Sequence, residues 1–292
     1  MIRIALALLW LAHWLPLPVL APLGRGLGLL GYLLVVPRRR VCLTNLRLCF
    51  PDVSERERRA LARAHFQWFG RFVLEHGIQW HASPERVRSL VQLEDEHHVR
   101  SLQASGQRFF FLAPHFLGLD LGAVRLMMDF EACGMYTRQK NRVLDAAVLA
   151  GRMRFAIGRT RLFSRQDGFR SIIRAVRQGL VFFYMPDMDL GARDSLFVPF
   201  FGVSTATITG PSRLAQLADA VAVPVVTRIL PGGAGYRVKF FEPWQNFPSG
   251  DLEADARRIN AFIEERVREL PEQYYWLHKR FKTRPPGEAR FY

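Results

Sequence analysis

A histidine and an aspartate stand in an otherwise apolar run, FFFLAPHFLGLDLGAVRL, at residues 109–126. In one continuous helix, side chains five residues apart point about 140° away from each other. His115 and Asp120 can therefore meet only if the histidine precedes a helix and the aspartate lies in its first turn. A strand over 108–113 and a turn at Gly118, whose backbone is flexible, would give that arrangement. The carboxylate could then orient the imidazole as a general base, although a satisfied structural pair in the core explains the same residues.

Two further acids follow a second apolar run, in the segment FFYMPDMDLG. The apolar run over 180–185 predicts a strand, and Asp187 and Asp189 come directly after it. If this strand is parallel to the one before His115, all three side chains reach the edge of the sheet where open α/β folds bind ligands. Solvated loop acids that cap the following turn are the alternative, and it remains open for Asp189.

Basic residues dominate the segment 138–177, which has eleven Arg or Lys against two Asp. A solvated helix face accounts for most of them. An excess this large beside a candidate site also favours an anionic substrate, because guanidinium groups bind phosphate and carboxylate well. The basic residues are Arg138, Lys140, Arg142, Arg152, Arg154, Arg159, Arg161, Arg165, Arg170, Arg174 and Arg177.

A basic composition extends over the whole chain. Its 292 residues have a formal net charge of +15 and are 49% hydrophobic. This composition allows a large core and predicts an anionic partner, such as nucleic acid, anionic lipid or an acidic protein. The short signatures of nucleic-acid binding are absent from the sequence, so no nucleic-acid partner is expected. Three cysteines form no C-x-x-C pair, which suits free thiols in a reducing compartment.

The N-terminal region is apolar enough to enter a membrane. Residues 4–24 carry no fixed charge, and apolar residues resume through Val36. About 20 apolar residues are enough to cross a bilayer as a helix. Three prolines in the first 22 residues instead favour two helices, near 2–15 and 24–36. A cleaved signal peptide is a further alternative.

The basic run PRRR follows this apolar region at 37–40. Clustered arginines after an apolar segment favour the cytoplasmic side of a membrane. We therefore expect residues 1–40 to be a membrane anchor, either spanning or interfacial, and residues 41–292 to be a globular domain in the cytoplasm.

Helix and strand patterns alternate through that domain. A capping box at Ser54 and Glu57 predicts an amphipathic helix to about residue 80, and a shorter helix follows over 84–105. Strands are predicted at 108–113, 132–136, 160–163, 180–185, 223–230 and 236–242, and helices at 118–129, 142–156, 167–178, 210–220 and 252–269. This order predicts an α/β fold with a mixed, largely parallel sheet flanked by helices.

Several common catalytic motifs are absent from the sequence. It has no G-x-S-x-G elbow, no P-loop and no H-E-x-x-H or clustered Cys/His spacing. We therefore expect neither a metal nor a cofactor. A non-enzymatic basic protein that binds an anionic membrane surface remains the alternative from another functional class.

Six stretches, in order between residues 44 and 285, carry a resemblance to a known family. They are TNLRLCFP (44–51), APHFLGLDLGA (113–123), GRMR (151–154), MPDMDLG (185–191), VPFFG (198–202) and PEQYYWLHKRFKTRP (271–285). They resemble the late acyltransferases of bacterial lipid A biosynthesis, the lauroyl and myristoyl transferases, within the H-x-x-x-x-D glycerolipid-type acyltransferases. The closing W-L-H-K-R-F-K-T-R-P is the most specific of these motifs.

The resemblance implies a membrane-anchored enzyme of the bacterial inner membrane, with its α/β domain facing the cytoplasm. The enzyme would move a fatty acyl chain from acyl carrier protein to a hydroxyl of an anionic glycolipid, a lipid A precursor. His115 would be the general base and Asp120 its orienting partner, without a covalent enzyme intermediate. A lysophospholipid or another glycolipid as acceptor, and coenzyme A as donor, remain open.

Further substrate-binding residues are implied by the same motifs. Arg152 and Asp187 match functionally important positions of the family, and we add Arg154, Arg138 and Asp189 from the neighbouring basic and acidic runs. Two departures from the family pattern affect the site. YTRQK stands where Tyr-Arg-Pro is expected, and an aspartate stands at residue 120 where many relatives have the longer glutamate.

Overall fold

The computed structural model describes residues 2–164 and 167–292, so Arg165 lies outside the described residues. These residues contain nine strands: β1 (Val91–Glu94), β2 (Phe109–Leu112), β3 (Ala132–Tyr136), β4 (Arg161–Ser164), β5 (Val181–Tyr184), β6 (Ser195–Phe200), β7 (Val203–Ile208), β8 (Val221–Ile229) and β9 (Tyr236–Phe240). Seven of them form one sheet in the order β1-β9-β8-β2-β5-β3-β4. Only β8 and β9 pair antiparallel within this sheet, which confirms the predicted α/β fold.

Eleven α-helices occur among the same described residues. They are α1 (Ile2–Ala12), α2 (Leu17–Leu34), α3 (Val36–Cys49), α4 (Glu55–His81), α5 (Pro84–Leu90), α6 (His97–Ala104), α7 (Leu119–Leu126), α8 (Arg142–Met153), α9 (Gly168–Arg177), α10 (Gly210–Ala218) and α11 (Leu252–Glu269). The capping box predicted at the start of α4 is present, with Ser54 and Glu57 hydrogen-bonded to each other. All five helices predicted after residue 108 are confirmed, with ends that differ by a few residues.

Two regions fold differently from the sequence prediction. Residues 84–105 do not form one helix, because β1 interrupts them to pair with β9 at the edge of the sheet. The antiparallel hairpin of β6 and β7 was not predicted either. Pro199 lies within β6 and argues against a central strand, but a two-stranded hairpin has free edges where a missing N–H group is tolerated.

The central strands are buried on both faces. In β2, Phe109 and Phe111 pack with the side chains of α5, α6 and α7, whereas Phe110 and Leu112 pack with those of α9, α10 and α11. Each of these four residues is at most 5% exposed. A strand covered on both faces has an uninterrupted apolar sequence, and a polar residue is therefore conspicuous where the strand ends.

The apolar N-terminus forms two helices, as one of the predicted alternatives has it, but the second begins at Leu17 and not near residue 24, and it includes Pro22. By length and composition, α2 is able to cross a membrane. One face of α2 nevertheless packs tightly along α4, because both helices have glycines where they meet. A Cβ atom on Gly70 would lie 2.6 Å from Cα of Gly28, and one on Gly28 would overlap the carbonyl oxygen of Phe66. The boundary at residue 40 stays a prediction.

Gly28→Ala should destabilise the protein, because the added methyl group has no space between α2 and α4. Overpacking of this kind costs about 1–3 kcal/mol, which a thermal unfolding curve in detergent would detect as a lower Tm. Gly26 is the matched control, since a Cβ there contacts nothing within 4 Å and alanine has the higher helix propensity. An equal Tm for Gly28→Ala and Gly26→Ala would contradict the close packing.

Candidate active site

The site lies where two neighbouring parallel strands end. In the pairing of β2 with β5, Leu112 is opposite Tyr184. His115 follows Leu112 by three residues, and Asp187 follows Tyr184 by the same number. Because the two offsets are equal, the chain brings both side chains to one point beyond the carboxyl edge of the sheet.

Asp187 binds His115 with both of its oxygens. Oδ2 accepts a hydrogen bond from the backbone N–H of His115 at 2.8 Å, and Oδ1 lies 2.7 Å from Nδ1 of the ring. An ionised carboxylate only accepts hydrogen bonds, so Nδ1 carries the hydrogen and the lone pair of the neutral ring is on Nε2. The Asp187 side chain is 1% exposed, whereas that of His115 is 25% exposed and lines a cavity.

The two partners also shift each other's pKa. Desolvation alone would lower the pKa of His115, but the charge of Asp187 and its hydrogen bond outweigh this and raise it above 6.5. Desolvation would raise the pKa of Asp187, and the charge and hydrogen bonds of His115 instead hold it below 3.8. Asp187 is therefore ionised at neutral pH, and the ring binds protons more readily than an ordinary histidine.

The prediction that Asp120 pairs with the ring of His115 is wrong. Asp120 does lie in the first turn of α7, but its carboxylate contacts other groups: Oδ1 is 3.4 Å from Arg152 and Oδ2 is 3.3 Å from Nε2 of His76. No hydrogen bond joins Asp120 to His115 among the described residues. The physical reason is that Asp187, which arrives from the neighbouring strand, already binds Nδ1.

His76 is a site residue that the sequence analysis did not identify. Its Nδ1 lies 2.6 Å from the backbone carbonyl of Phe72, and its Nε2 faces Asp120. The ring therefore lies between two groups that can accept hydrogen bonds. Desolvation alone would raise the pKa of Asp120, but the charges of Arg152 and His76 hold it below its ordinary value.

A helical spacing could have pointed to His76. Phe69, Phe72 and His76 recur at intervals of three and four in α4 and therefore share one helix face. Aromatic residues with this spacing are typical of core packing, yet Phe69 and Phe72 line the cavity beside His115.

The cavity is open and has a volume of about 190 Å³. Its walls are mostly apolar, and the polar groups among them are few. The lining residues are Phe69, Phe72, His115, Phe116, Leu117, Leu119, Asp120, Arg152, Met185 and Tyr275. A smaller apolar pocket of about 70 Å³ shares Leu119, Asp120, Arg152 and Met185 with it and extends to Cys133, Gly134 and Leu162. An elongated apolar group could therefore extend from His115 into the space between α7 and the sheet.

Two of the predicted arginines lie away from this cavity. Arg154 donates a hydrogen bond of 2.6 Å to the carbonyl oxygen of Trp80 and is largely exposed. Arg138 is exposed just beyond the end of β3. The structure thus brings Arg152 together with His115, Asp187 and Asp120, but it does not place Arg154 or Arg138 with them.

Asp189 holds the C-terminal segment instead of lining the cavity. Its oxygens accept hydrogen bonds from the amide and hydroxyl of Thr283, at 2.6 and 2.7 Å, and from the amide of Gly191 at 3.0 Å. The side chain is fully buried by these contacts. The bond from Gly191 agrees with the alternative of an acid that caps the following turn, but Asp189 is buried and not solvated as that alternative had it.

The C-terminal segment fixes the backbone around His115. The amide of Tyr275 donates to the carbonyl of His115 at 3.0 Å, and the amide of Leu117 donates to the carbonyl of Gln273 at 2.9 Å. The Gln273 side chain in turn exchanges two hydrogen bonds of 2.8 Å with the backbone of Ile229 in β8. The loop that carries His115 is thus bonded to the C-terminal segment, which is itself bonded to β8.

Gly118 is needed for a different reason from the expected one. Its φ of −79° is ordinary for any residue, so the turn does not require a flexible backbone. A Cβ atom at Gly118 would instead lie 2.9 Å from the carbonyl oxygen of Thr227 in β8. The glycine lets the start of α7 approach the sheet closely.

Comparisons with known proteins agree along nearly the whole chain. The model of the family described as bacterial lipid A biosynthesis acyltransferase matches residues 1–283. The lipid A biosynthesis lauroyltransferase of Escherichia coli K12 is 36% identical over 285 residues, which cover 97% of this chain and 92% of the relative. The palmitoleoyltransferase of the same strain is 32% identical, covering 98% and 92%, and its myristoyltransferase is 33% identical, covering 94% and 83%.

Asp187→Asn should lower the pKa of His115, because the variant removes the charge that raises it and leaves the desolvation in place. Nuclear magnetic resonance of the imidazole during a pH titration measures this shift directly. Asp219→Asn is the control, since Asp219 is exposed and distant from the site, and the pKa of His115 should not change in it. An unchanged pKa in Asp187→Asn would mean that the carboxylate does not govern the ring.

Proposed function

The chain belongs to the family of bacterial lipid A biosynthesis acyltransferases, and from that premise we propose a specific reaction. A fatty acyl chain moves from a thioester of acyl carrier protein to a hydroxyl of a lipid A precursor, at the cytoplasmic face of the inner membrane. One observation carries the proposal: the ring of His115, at the wall of an open cavity, is held by Asp187 in the tautomer that a general base requires.

The proposed chemistry needs no covalent enzyme intermediate. Nε2 of His115 takes the proton of the acceptor hydroxyl while the hydroxyl oxygen attacks the thioester carbonyl carbon. The new C–O bond forms first, and the tetrahedral intermediate then collapses with cleavage of the C–S bond. A thiol of pKa about 8.5 leaves readily as thiolate, which takes up the proton from the imidazolium. A positioned base of this kind supplies about 10²–10⁴-fold in rate.

Asp187 takes the orienting role in this proposal. Its hydrogen bond fixes Nδ1–H and leaves Nε2 to face the acceptor, and its charge stabilises the imidazolium that forms when the proton moves. The carboxylate is buried and ionised before the substrate binds, so it needs no rearrangement during the reaction.

Arg152 is the one arginine in the list of residues that line the cavity. We assign it the stabilisation of the oxyanion, for which one donor is commonly worth about 2.7–4 kcal/mol. Asp120 holds the guanidinium at the cavity wall and is itself held by His76. In this account Asp120 and His76 position Arg152 and do not take part in proton transfer.

We place the acyl chain in the smaller apolar pocket beside the cavity. It shares Asp120 and Arg152 with the main cavity, so a thioester carbonyl near His115 could extend its hydrocarbon chain toward Leu162. Exposed arginines of the segment 138–177 would bind the phosphates of the acceptor and the acidic carrier protein. Arg138 and Arg154 belong to this group in our proposal.

His115→Ala should lower kcat by at least about 10²-fold, because the proton then has no positioned acceptor. Mass spectrometry of the lipid product measures transfer, with acyl carrier protein carrying lauroyl, myristoyl or palmitoleoyl chains, those named for the three relatives. The exposed His97 supplies the control variant, His97→Ala, which should transfer at the wild-type rate. Near-wild-type transfer by His115→Ala would overturn the proposed base.

Two further arms of the same assay separate the remaining alternatives. Replacing the carrier-bound donor by acyl coenzyme A identifies the donor, and offering a lysophospholipid in place of the lipid A precursor identifies the acceptor. Transfer from acyl carrier protein to the lipid A precursor, at a rate well above the other combinations, is the expected result.

A further inference from the structure

Each of the two N-terminal helices exposes a stripe of apolar side chains. Leu23, Leu27, Leu30 and Leu34 recur at intervals of four and three along α2, and they are 44–76% exposed. In α1, the exposed residues include Ile4, Leu8 and Leu11, at the same intervals. Such spacing places the side chains of each helix on one face. An exposed apolar surface of this extent marks an interaction site.

The opposite face of each helix is fixed to the globular body. Besides the contact of α2 with α4, a Cβ atom on Gly77 of α4 would overlap the carbonyl oxygen of Leu9 in α1. A Cβ atom on Gly233, in the turn between β8 and β9, would lie 2.5 Å from the nitrogen of Pro18. If α2 crossed a bilayer in this arrangement, it would draw α4 and the turn into the hydrocarbon with it.

The helix α1 is too short to cross a bilayer by itself. Eleven residues of helix are about 16 Å long, roughly half of the ~30 Å hydrocarbon core. The break at Pro16 separates α1 from α2, so the two do not add up to one straight span.

Charge and aromatic residues indicate what the stripe contacts. Residues 1–51 contain six arginines and neither Asp nor Glu. Trp10 and Trp14, at the junction of α1 and α2, are 48% and 67% exposed. Exposed tryptophans and arginines that flank an apolar helix face are typical of helices lying in the interface of an anionic bilayer.

We propose that α1 and α2 lie together in the cytoplasmic leaflet and that neither crosses the bilayer. The inference rests on the proposed membrane attachment and specifies its mode. The stripe of α2 enters the acyl region of anionic phospholipids, while α4 beneath it stays with the protein. Because Phe69 and Phe72 of α4 line the cavity, this mode keeps the site close to the leaflet that holds the acceptor lipid.

Introduced cysteines test this arrangement cleanly. The native Cys42, Cys49 and Cys133 are buried, so a single surface cysteine is the reactive thiol of the full-length protein. The variants Arg3→Cys and Arg40→Cys mark the two ends of the apolar region, and His97→Cys on α6 marks the globular body. Each is bound to preformed vesicles of phosphatidylethanolamine and phosphatidylglycerol and treated with a membrane-impermeant maleimide.

In the one-leaflet arrangement, all three thiols react from outside the vesicles to a similar extent. If α2 spans the bilayer, Arg3→Cys reacts only after detergent is added, while Arg40→Cys and His97→Cys react before it, and the inference is overturned. Acyl transfer measured in the same vesicles keeps the two proposals apart. Spanning with full transfer overturns the leaflet arrangement alone, and absence of transfer by the wild-type protein overturns the proposed function.

A nitroxide attached to Leu30→Cys tests the contact itself. If the nitroxide lies in the leaflet, oxygen accelerates its spin relaxation strongly and a polar nickel chelate accelerates it weakly, as electron paramagnetic resonance measures. Strong relaxation by the chelate would mean that the stripe faces water, and weak relaxation by both agents would mean that a second copy of the chain covers it. Either of these results contradicts the proposal.

Discussion

The buried carboxylate of Asp187 is the constraint on which the site depends. An ionised group at 1% exposure is costly unless it is paired and hydrogen-bonded, and here both oxygens bind the backbone and ring of one residue, His115. This geometry requires β2 and β5 to be parallel neighbours in one register, and it requires the loop after β2 to keep its shape. The hydrogen bond that Leu117 donates to Gln273 and the one that Tyr275 donates to His115 keep it so. Sheet register, loop and C-terminal segment therefore act together on one imidazole.

Local sequence patterns predict the strand and the helix at the site, but they do not predict which distant residues meet there. The strand before His115 and the helix that carries Asp120 could be predicted, because an apolar run and a helical repeat are local patterns. The partner of His115 could not be read from spacing, since Asp187 lies 72 residues away and reaches the ring only through strand pairing. The same limit applies to His76, 44 residues before Asp120. That the two strands are parallel was stated as a condition, and the pairing of β2 with β5 satisfies it.

The motifs behind the family resemblance divide into those at the cavity and those that support it. His115 and Arg152 line the cavity and Asp187 binds the imidazole, whereas Asp189 and Thr283 join two loops away from it. The most specific motif, at the C-terminus, is therefore largely structural: the buried Arg280 donates to the carbonyl of Ala206 at 2.8 Å. A motif can identify a family without containing the reacting groups. Conversely, Asp120 lies at the site, but among the described residues it makes its hydrogen bonds to His76 and Arg152 and not to His115.

The pH dependence of kcat/KM for acyl transfer, in the wild type and in Asp187→Asn, tests the central claim most directly. The imidazole must be neutral to act as a general base, so kcat/KM should rise as pH increases through the raised pKa of His115. The midpoint of this acidic limb should lie above about pH 6.5. Without the Asp187 charge, that limb should move to lower pH and the plateau should fall, because the imidazolium is no longer stabilised. A variant that keeps both the wild-type limb and the wild-type plateau would contradict a base oriented and tuned by Asp187.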